Sequence, residues 1–255
     1  MIAILAKRGN VVPRKSTLAE SVRTRLEKQI FEGYYLPGDR LCEDDISREC
    51  GASRTPVREA FKYLAASGLI SLKPHQGAVV RKLEIAELAE MFQVMAELEG
   101  LSSRLAAQRI RPDQMRKLEQ AHKECARLAR NGRHEEFYRA NTVFHALIVE
   151  ISGNNFLRRE IEYLAKRLNP YRRQITFHHG RMFESIREHE VVIRAIIAGD
   201  AEAAGETMRH HVNILGDKFG DYLEILSLQP RMRSQRRKSL ARSHKEAPRQ
   251  TSMTS

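Results

Sequence analysis

The spacing of apolar residues predicts two regions with different architectures. In the first region, short helices are predicted at about 43–50 and 53–66, and β-like runs follow at 69–72 and 78–82. A longer helix precedes them, predicted from apolar residues at helical spacing, which are Leu18, Val22, Leu26 and Ile30. Three helices followed by a hairpin is the element order of a winged helix-turn-helix domain.

Beyond residue 83 the pattern changes to one helix after another, separated by short Gly, Pro and Asn breaks. The predicted helices are 84–110, 113–131, 134–152, 155–169, 181–198 and 200–227, with the fourth ending at Pro170. No strand pattern occurs there, so this region is predicted to be an all-α bundle of six to seven helices. The fold class is therefore mainly α.

The net charge of +12 is concentrated at the two ends of the chain. Residues 1–16, predicted to be a flexible basic arm, carry +4, and residues 229–255, predicted to be a disordered basic tail, carry +7. The winged-helix region, 17–82, carries only +2, and the bundle, 83–228, carries −1. Since basic tails bind any polyanion, the overall charge is weak evidence for a DNA-binding fold.

Composition narrows the class of protein further. No apolar run approaches the roughly 18 residues that a membrane span needs, so no membrane partner is expected. The apolar run at the start of the chain is too short for a secretory signal, because charged residues follow it within the first ten positions. The three cysteines have no CxxC spacing and are odd in number. This argues against a disulfide framework or a cysteine zinc site and favours a reducing cytoplasm.

The segment Ala52-Ser-Arg-Thr-Pro-Val-Arg-Glu-Ala-Phe61 predicts a DNA-reading helix. Arg54 and Arg58 are four residues apart and share a face at the start of the helix, which recognition helices present to base edges in the major groove. Arginine makes bidentate contacts with guanine O6 and N7. Ser53, Thr55 and the helix N-terminal amides suit phosphate oxygens. The hairpin tip, with Gln76 and Gly77, is predicted to enter the minor groove of double-stranded DNA.

Three histidines lie in the apolar stripes of three different predicted bundle helices, near the middle of each. They are His145, His189 and His211, and Asn141 precedes His145 by one helical turn. Three imidazoles and an amide oxygen form a donor set suited to a divalent transition metal such as zinc, nickel or manganese, with coordination positions left open. The same residues would also form a metal-free polar pocket. Spacing does not decide between the two, because it does not show that the helices face each other.

Two alternatives concern what such a site does. Arg181 lies on roughly the same face as His189 and is a candidate partner for a small carboxylate effector, although a surface arginine is an equally good interpretation. A metal-dependent hydrolase would need a positioned general acid or base. Glu188 and Glu190 flank His189 but are expected on other helix faces, so a non-enzymatic role is predicted.

The segments EGYYLPGDRL, SRTPVREAFKYLAASGLI and HQGAVV resemble the DNA-binding half of GntR-type bacterial transcriptional regulators. The resemblance covers about residues 17–82 and implies a homodimer on a pseudo-palindromic operator, read by Arg54 and Arg58 with help from Thr55 and Gly77. Some members carry a further arginine early in the second helix. This chain has Asp44 there, so that contact is not carried over.

The helical remainder resembles the FCD ligand-binding domain of the FadR-like branch of that family. The resemblance implies effector binding and dimerisation by residues 83–228, usually a repressor function, and metal binding by an Asp-x-x-x-His turn and two further histidines. These positions fall on Asn141/His145, His189 and His211. Asn141 stands where an aspartate is expected and Met95 where many members have an arginine, so weaker metal binding is expected.

Overall fold

The computed structural model describes residues 17–73, 77–178 and 180–213. The predicted basic arm, the hairpin-tip residue Gln76, the predicted end of the last helix and the basic tail lie outside the described residues.

The N-terminal region forms the predicted three helices and antiparallel hairpin. A two-stranded hairpin was predicted, but a third strand, β1, pairs with β3, so the sheet order is β1-β3-β2. Sequence reasoning missed β1 because two residues are too short for a periodic pattern. The elements are α1 (Leu18–Phe31), β1 (Arg40–Leu41), α2 (Glu43–Cys50), α3 (Arg54–Ala66), β2 (Ile70–Lys73) and β3 (Gly77–Val80).

Local chemistry explains where these elements begin and end. Helix α1 starts with a capping box, in which the Thr17 hydroxyl accepts from the Glu20 amide and the Glu20 carboxylate accepts from the Thr17 amide. Leu18 was predicted to belong to the apolar stripe of α1, but its side chain is half exposed. Ala19 is buried instead. Gly51 ends α2 in the left-handed conformation that glycine adopts readily.

The described part of the bundle contains six helices. They are α4 (Ile85–Arg109), α5 (Pro112–Arg130), α6 (His134–Ile151), α7 (Asn155–Thr176), α8 (Arg181–Ala198) and α9 (Ala201–Val212). The prediction that the fourth of them ends at Pro170 was wrong, since α7 runs through this residue. A proline inside a helix removes one hydrogen bond and costs about 3 kcal/mol. Burial of Pro170, and the hydrogen bond from the Leu83 amide to the Tyr171 hydroxyl, offset this cost.

Helices α4 and α9 pack against each other at close range, which places His211 in the core. A Cβ atom added to Gly100 would lie 3.0 Å from the carbonyl oxygen of Gly205, so glycine is required at this crossing. The two helices run antiparallel, because Arg104 pairs with Glu202 and Arg209 with Glu97. This packing brings His211, six residues after Gly205 on α9, into the centre of the bundle.

The two regions meet along the C-terminal half of α1. The rings of Phe31 and Tyr138 lie 5.2 Å apart, and Arg139 donates to Glu32 at 3.1 Å. Lys166 lies 3.4 Å from Glu27. Helix α6, which carries two of the predicted metal ligands, is therefore in direct contact with the DNA-binding region.

Candidate functional site

The three predicted histidines converge in the centre of the bundle, which the spacing of the apolar stripes alone did not decide. His145 on α6, His189 on α8 and His211 on α9 are all buried. Each offers a ring nitrogen, and the three nitrogens lie within 4.8 Å of one another. Three imidazoles at this separation form a group that can hold a metal ion.

Two carboxylates orient two of these rings. His145 Nδ1 is hydrogen-bonded to Glu99 Oε2, and His211 Nδ1 lies 2.5 Å from Glu188 Oε2. A carboxylate accepts hydrogen bonds, so each Nδ1 carries the proton and each Nε2 presents a lone pair. Carboxylates behind the ring are the usual partners of metal-ligating histidines.

The two Nε2 atoms face each other at 3.1 Å. Two lone pairs at that distance repel unless a cation lies between them or one ring changes tautomer. Zinc–nitrogen bonds of about 2.0–2.1 Å place neighbouring ligand nitrogens about 2.9–3.4 Å apart, depending on the coordination angle. The observed separation matches that of two ligands of one metal ion, and it also matches an N–H···N hydrogen bond in which one ring takes the other tautomer.

The hydroxyl of Ser185 links His189 to Asn141, the fourth residue of the predicted donor set. Ser185 Oγ lies 3.3 Å from His189 Nε2 and donates to Asn141 Oδ1 at 3.5 Å. His189 Nδ1 is buried and has no hydrogen-bond partner among the described residues. A buried nitrogen without a partner is costly, and three converging imidazoles match the ligands of a divalent transition metal. The residues present therefore fit a divalent metal.

The electrostatic environment keeps the imidazoles of His189 and His211 neutral. Burial lowers the pKa of His189 and of His211 well below the ordinary value of 6.5, and the neighbouring histidines lower both further. Burial alone would raise the pKa of Glu99, but the interactions of its carboxylate with Arg172 and His145 outweigh it and hold that pKa below its ordinary value. Neutral imidazoles at His189 and His211 and an ionised carboxylate at Glu99 are the protonation states that metal binding requires.

Sequence reasoning missed the residues that support the histidines. Glu188 was expected on another helix face, which was wrong, since its carboxylate reaches His211. Glu99 also binds Arg172, whose Nη1 donates to its Oε1 at 2.8 Å. An acidic residue among the buried positions of α4 was the available signal for Glu99. The ring of His122 lies 6.2 Å from that of His189.

Arg181 is buried beside the cluster and is already paired. Its Nη1 donates to both Glu188 oxygens at 3.0 and 2.8 Å. It borders a cavity of about 30 Å³ that Asn141, Ser185 and His211 also line. Its predicted contact with an effector carboxylate stays a prediction.

A much larger cavity, of about 610 Å³, lies between α4, α6 and α7. Asn141 and His145 line it, together with Glu99 and Arg172, so it adjoins the proposed metal position. Tyr138 also lines it and contacts Phe31 of the DNA-binding region. Its volume is in the range of small-molecule sites.

The predicted DNA-reading side chains lie on one open surface. Arg54 and Arg58 are exposed at the start of α3 and border a groove of about 600 Å³ that extends to Gly77. Ser53 occupies the N-cap position but its hydroxyl makes no capping hydrogen bond, and Thr55 is exposed, so both hydroxyls are accessible. Gly77 has φ of +81°, and an added Cβ would lie 3.1 Å from Leu41 O, so the wing requires glycine here.

Each arginine on this surface is paired with an acidic residue of α2. Arg54 Nε donates to Asp44 Oδ1 at 2.7 Å, and Arg58 Nε donates to Glu43 Oε2 at 2.8 Å.

In the described part of the chain no helix is long and apolar enough to cross a membrane.

Comparison with known proteins agrees with this division of the chain. The family model for bacterial regulatory proteins of the gntR family matches residues 18–80, and the model for the FCD domain matches residues 90–213. A protein of Paenarthrobacter nicotinovorans, named "Probable D-xylose utilization operon transcriptional repressor", is 32% identical over 200 residues, which cover 78% of this chain and 87% of that protein. The HTH-type transcriptional repressor RspR of Escherichia coli is 28% identical, covering 75% of this chain and 84% of RspR.

Solved structures show the same fold. The McbR/YncC structure of Escherichia coli superimposes with a TM-score of 0.71 at 24% identity, covering 81% of this chain and 98% of that one. A transcriptional-regulator structure from Rhodococcus sp. RHA1 gives 0.67 at 19% identity, covering 83% and 99%. The matching families and the named relatives are transcriptional regulators, not enzymes. The chain belongs to the GntR family of bacterial transcriptional regulators, with a GntR-type DNA-binding domain followed by an FCD domain.

Proposed function

We propose that this regulator is a repressor that binds a pseudo-palindromic operator as a homodimer and reads it with Arg54 and Arg58. The observation that carries this proposal is the pair of exposed guanidinium groups at the start of α3, beside a groove bordered by the wing. The N-terminal end of a recognition helix is the part that contacts base edges. Ser53 and Thr55 contact phosphate oxygens around these two side chains, and Gln76 and Gly77 at the hairpin tip enter the minor groove.

The bundle binds a divalent transition metal through His145, His189, His211 and Asn141. The support is the facing pair of Nε2 atoms together with the carboxylates behind them. Bound metal supplies a positive charge with open coordination positions. The neutral amide of Asn141 supplies no charge to the site, so this ligand is the weakest of the four.

The effector is a small carboxylate that occupies the 610 Å³ cavity. Two arginines, Arg158 and Arg172, line this cavity with Lys166, and the proposed metal ligands Asn141 and His145 form part of its wall. Arginine binds carboxylates bidentately. Glu99, Glu150 and Glu162 line the same cavity and balance these cations, so the net positive charge that a carboxylate would meet here is that of the adjacent metal.

Contact between the cavity wall and the DNA-binding domain provides a route for the response. Tyr138 lines the cavity and packs on Phe31 of α1, and Arg139 pairs with Glu32. A ligand that favours one position of α6 would favour one position of the DNA-binding domain. Because the two half-sites of an operator have a fixed spacing, a small change in dimer geometry lowers operator affinity.

The DNA-reading assignment is tested by Arg58→Ala. The probe is the duplex that the wild-type chain selects most strongly from a random pool, and affinity is measured by fluorescence anisotropy. We expect Arg58→Ala to weaken binding to this duplex by roughly 5- to 100-fold, the range for loss of a bidentate base contact. The control is Lys28→Ala, which removes one exposed positive charge from α1.

Unchanged affinity of Arg58→Ala for the selected duplex would reject the assignment. If Arg58→Ala and Lys28→Ala weaken binding to this duplex equally, Arg58 contributes only its positive charge and does not read a base. Circular dichroism checks that both variants keep their helical content.

A further inference from the structure

The two DNA-reading arginines are held in the same way. Each donates from Nε, the inner nitrogen of the guanidinium group, to a carboxylate in the first turn of α2. Among the described residues, the two outer nitrogens of each arginine, Nη1 and Nη2, have no hydrogen-bond partner. Those two nitrogens are spaced to donate together to guanine O6 and N7.

Stability does not account for the Asp44–Arg54 pair. Its two side chains are 53% and 63% exposed, and ion pairs in such positions contribute little to folding. Asp44 also places a negative charge on the surface that faces the phosphate backbone. It borders the same groove as Arg54, where the basic residues Arg40, Lys62 and Lys73 lie as well. A carboxylate at this place opposes DNA binding in general.

We infer that Asp44 is a positioning residue that sets the specificity of the regulator by orienting the guanidinium of Arg54 toward guanine. The inference rests on the proposed reading of DNA by Arg54. A guanidinium group is planar, so a hydrogen bond at Nε fixes the direction of the outer edge. Orienting Arg54 before binding reduces the side-chain entropy lost on contact with the base.

The same carboxylate acts against unspecific binding. It repels phosphates on every sequence, whereas its effect on Arg54 helps only where guanine is present. Discrimination between two sequences is the difference between two binding free energies, so the uniform repulsion cancels from it while the orientation of Arg54 raises it.

The test couples Asp44 to a single atom of the DNA. The probe is the duplex selected from a random pool by the wild-type chain, with each guanine replaced in turn by 7-deazaguanine, which lacks the N7 acceptor. In the wild type we expect that replacing the contacted guanine lowers the binding affinity by at least about fivefold, and this decrease is called the loss below. Arg54→Ala identifies that guanine, because the loss there disappears in this variant.

Asp44→Ala is expected to reduce the loss at the same guanine to below about twofold. It is also expected to strengthen binding to a duplex of random sequence. Asp44→Asn, which retains Oδ1 as an acceptor, is expected to keep most of the loss.

The matched control is Asp45→Ala. Asp45 is the next residue, lies in the same first turn and carries the same charge, but it pairs with Arg48 instead. We expect it to strengthen binding to random-sequence DNA as Asp44→Ala does while leaving the loss at the contacted guanine at its wild-type value.

A full wild-type loss in Asp44→Ala would overturn the inference and leave Asp44 as a repulsive charge only. Reduction of the loss by both variants would also overturn it. If Arg54→Ala keeps the loss at every guanine, the reading by Arg54 itself is wrong, and the inference falls with it.

Discussion

His145 Nε2 and His211 Nε2 face each other at 3.1 Å in the centre of the bundle. Each ring has a carboxylate on its opposite nitrogen, Glu99 for His145 and Glu188 for His211. The carboxylates direct both lone pairs to the same point. The proposed binding of a metal ion by this regulator depends on the facing Nε2 atoms of His145 and His211.

Loss of a supporting carboxylate should weaken metal binding while leaving the ligands in place. We expect Glu188→Gln to lower zinc affinity about 10- to 100-fold, because the amide no longer favours the Nδ1-protonated form of His211. Isothermal titration at constant pH measures the affinity. The matched control is Glu190→Gln, since Glu190 lies on the same helix but is exposed and pairs with Arg194. Equal affinities of Glu188→Gln and the wild type would contradict the role assigned to Glu188.

The metal-free protein should lose stability as the pH falls. The pKa values of His189 and His211 in the folded state lie well below 6.5, the value that an unperturbed histidine has in the unfolded chain. Below pH 6.5 the unfolded state therefore binds more protons, and the free energy of unfolding decreases by about 1.4 kcal/mol per pH unit for each histidine. Urea unfolding followed by circular dichroism, at pH 7.5 and pH 5.5, measures the change. The His189→Gln and His211→Gln variants should each lose less stability than the wild type between these two pH values. If both variants lose as much as the wild type, these histidines are not the source of the pH dependence.

The contact between Phe31 and Tyr138 should carry the influence of the bundle to the DNA-binding domain. Zinc is the probe, and its effect is the ratio of affinities for the selected duplex with and without the metal. Coupling between two sites is typically about 5- to 150-fold. We expect Phe31→Ala to reduce the effect of zinc to below about twofold, because α1 then loses its ring contact with α6. Leu18→Ala, an exposed substitution on the same helix, should keep the wild-type ratio. A wild-type ratio in Phe31→Ala would show that the coupling does not pass through this ring.

Apolar spacing predicted the helices well where a helix end coincides with a Gly or Asn break, as at Gly51 and Gly199. It failed at Pro170, because the tertiary contacts of Pro170 and Tyr171 offset a cost that the local sequence indicates. It also missed β1, whose pairing with β3 is a contact between residues nearly 40 positions apart.

The candidate site shows the same division. Spacing placed the three histidines inside the bundle because each belongs to an apolar stripe. It did not predict the roles of Glu99 and Glu188, which depend on how α4 packs against α6 and how α8 packs against α9. Arg172 was missed for another reason, since it follows Pro170 and the helix was expected to end before it.

The metal content of purified protein tests the central claim most directly. The wild type, His145→Ala and His210→Ala are purified in parallel, and their metals are measured by elemental analysis. His210 is the matched control, because it lies next to His211 on α9 but is exposed. We expect about one divalent transition metal per chain in the wild type and in His210→Ala, and a content near zero in His145→Ala. Equal and near-zero contents in all three proteins would contradict the metal site and leave a metal-free polar pocket formed by the same residues.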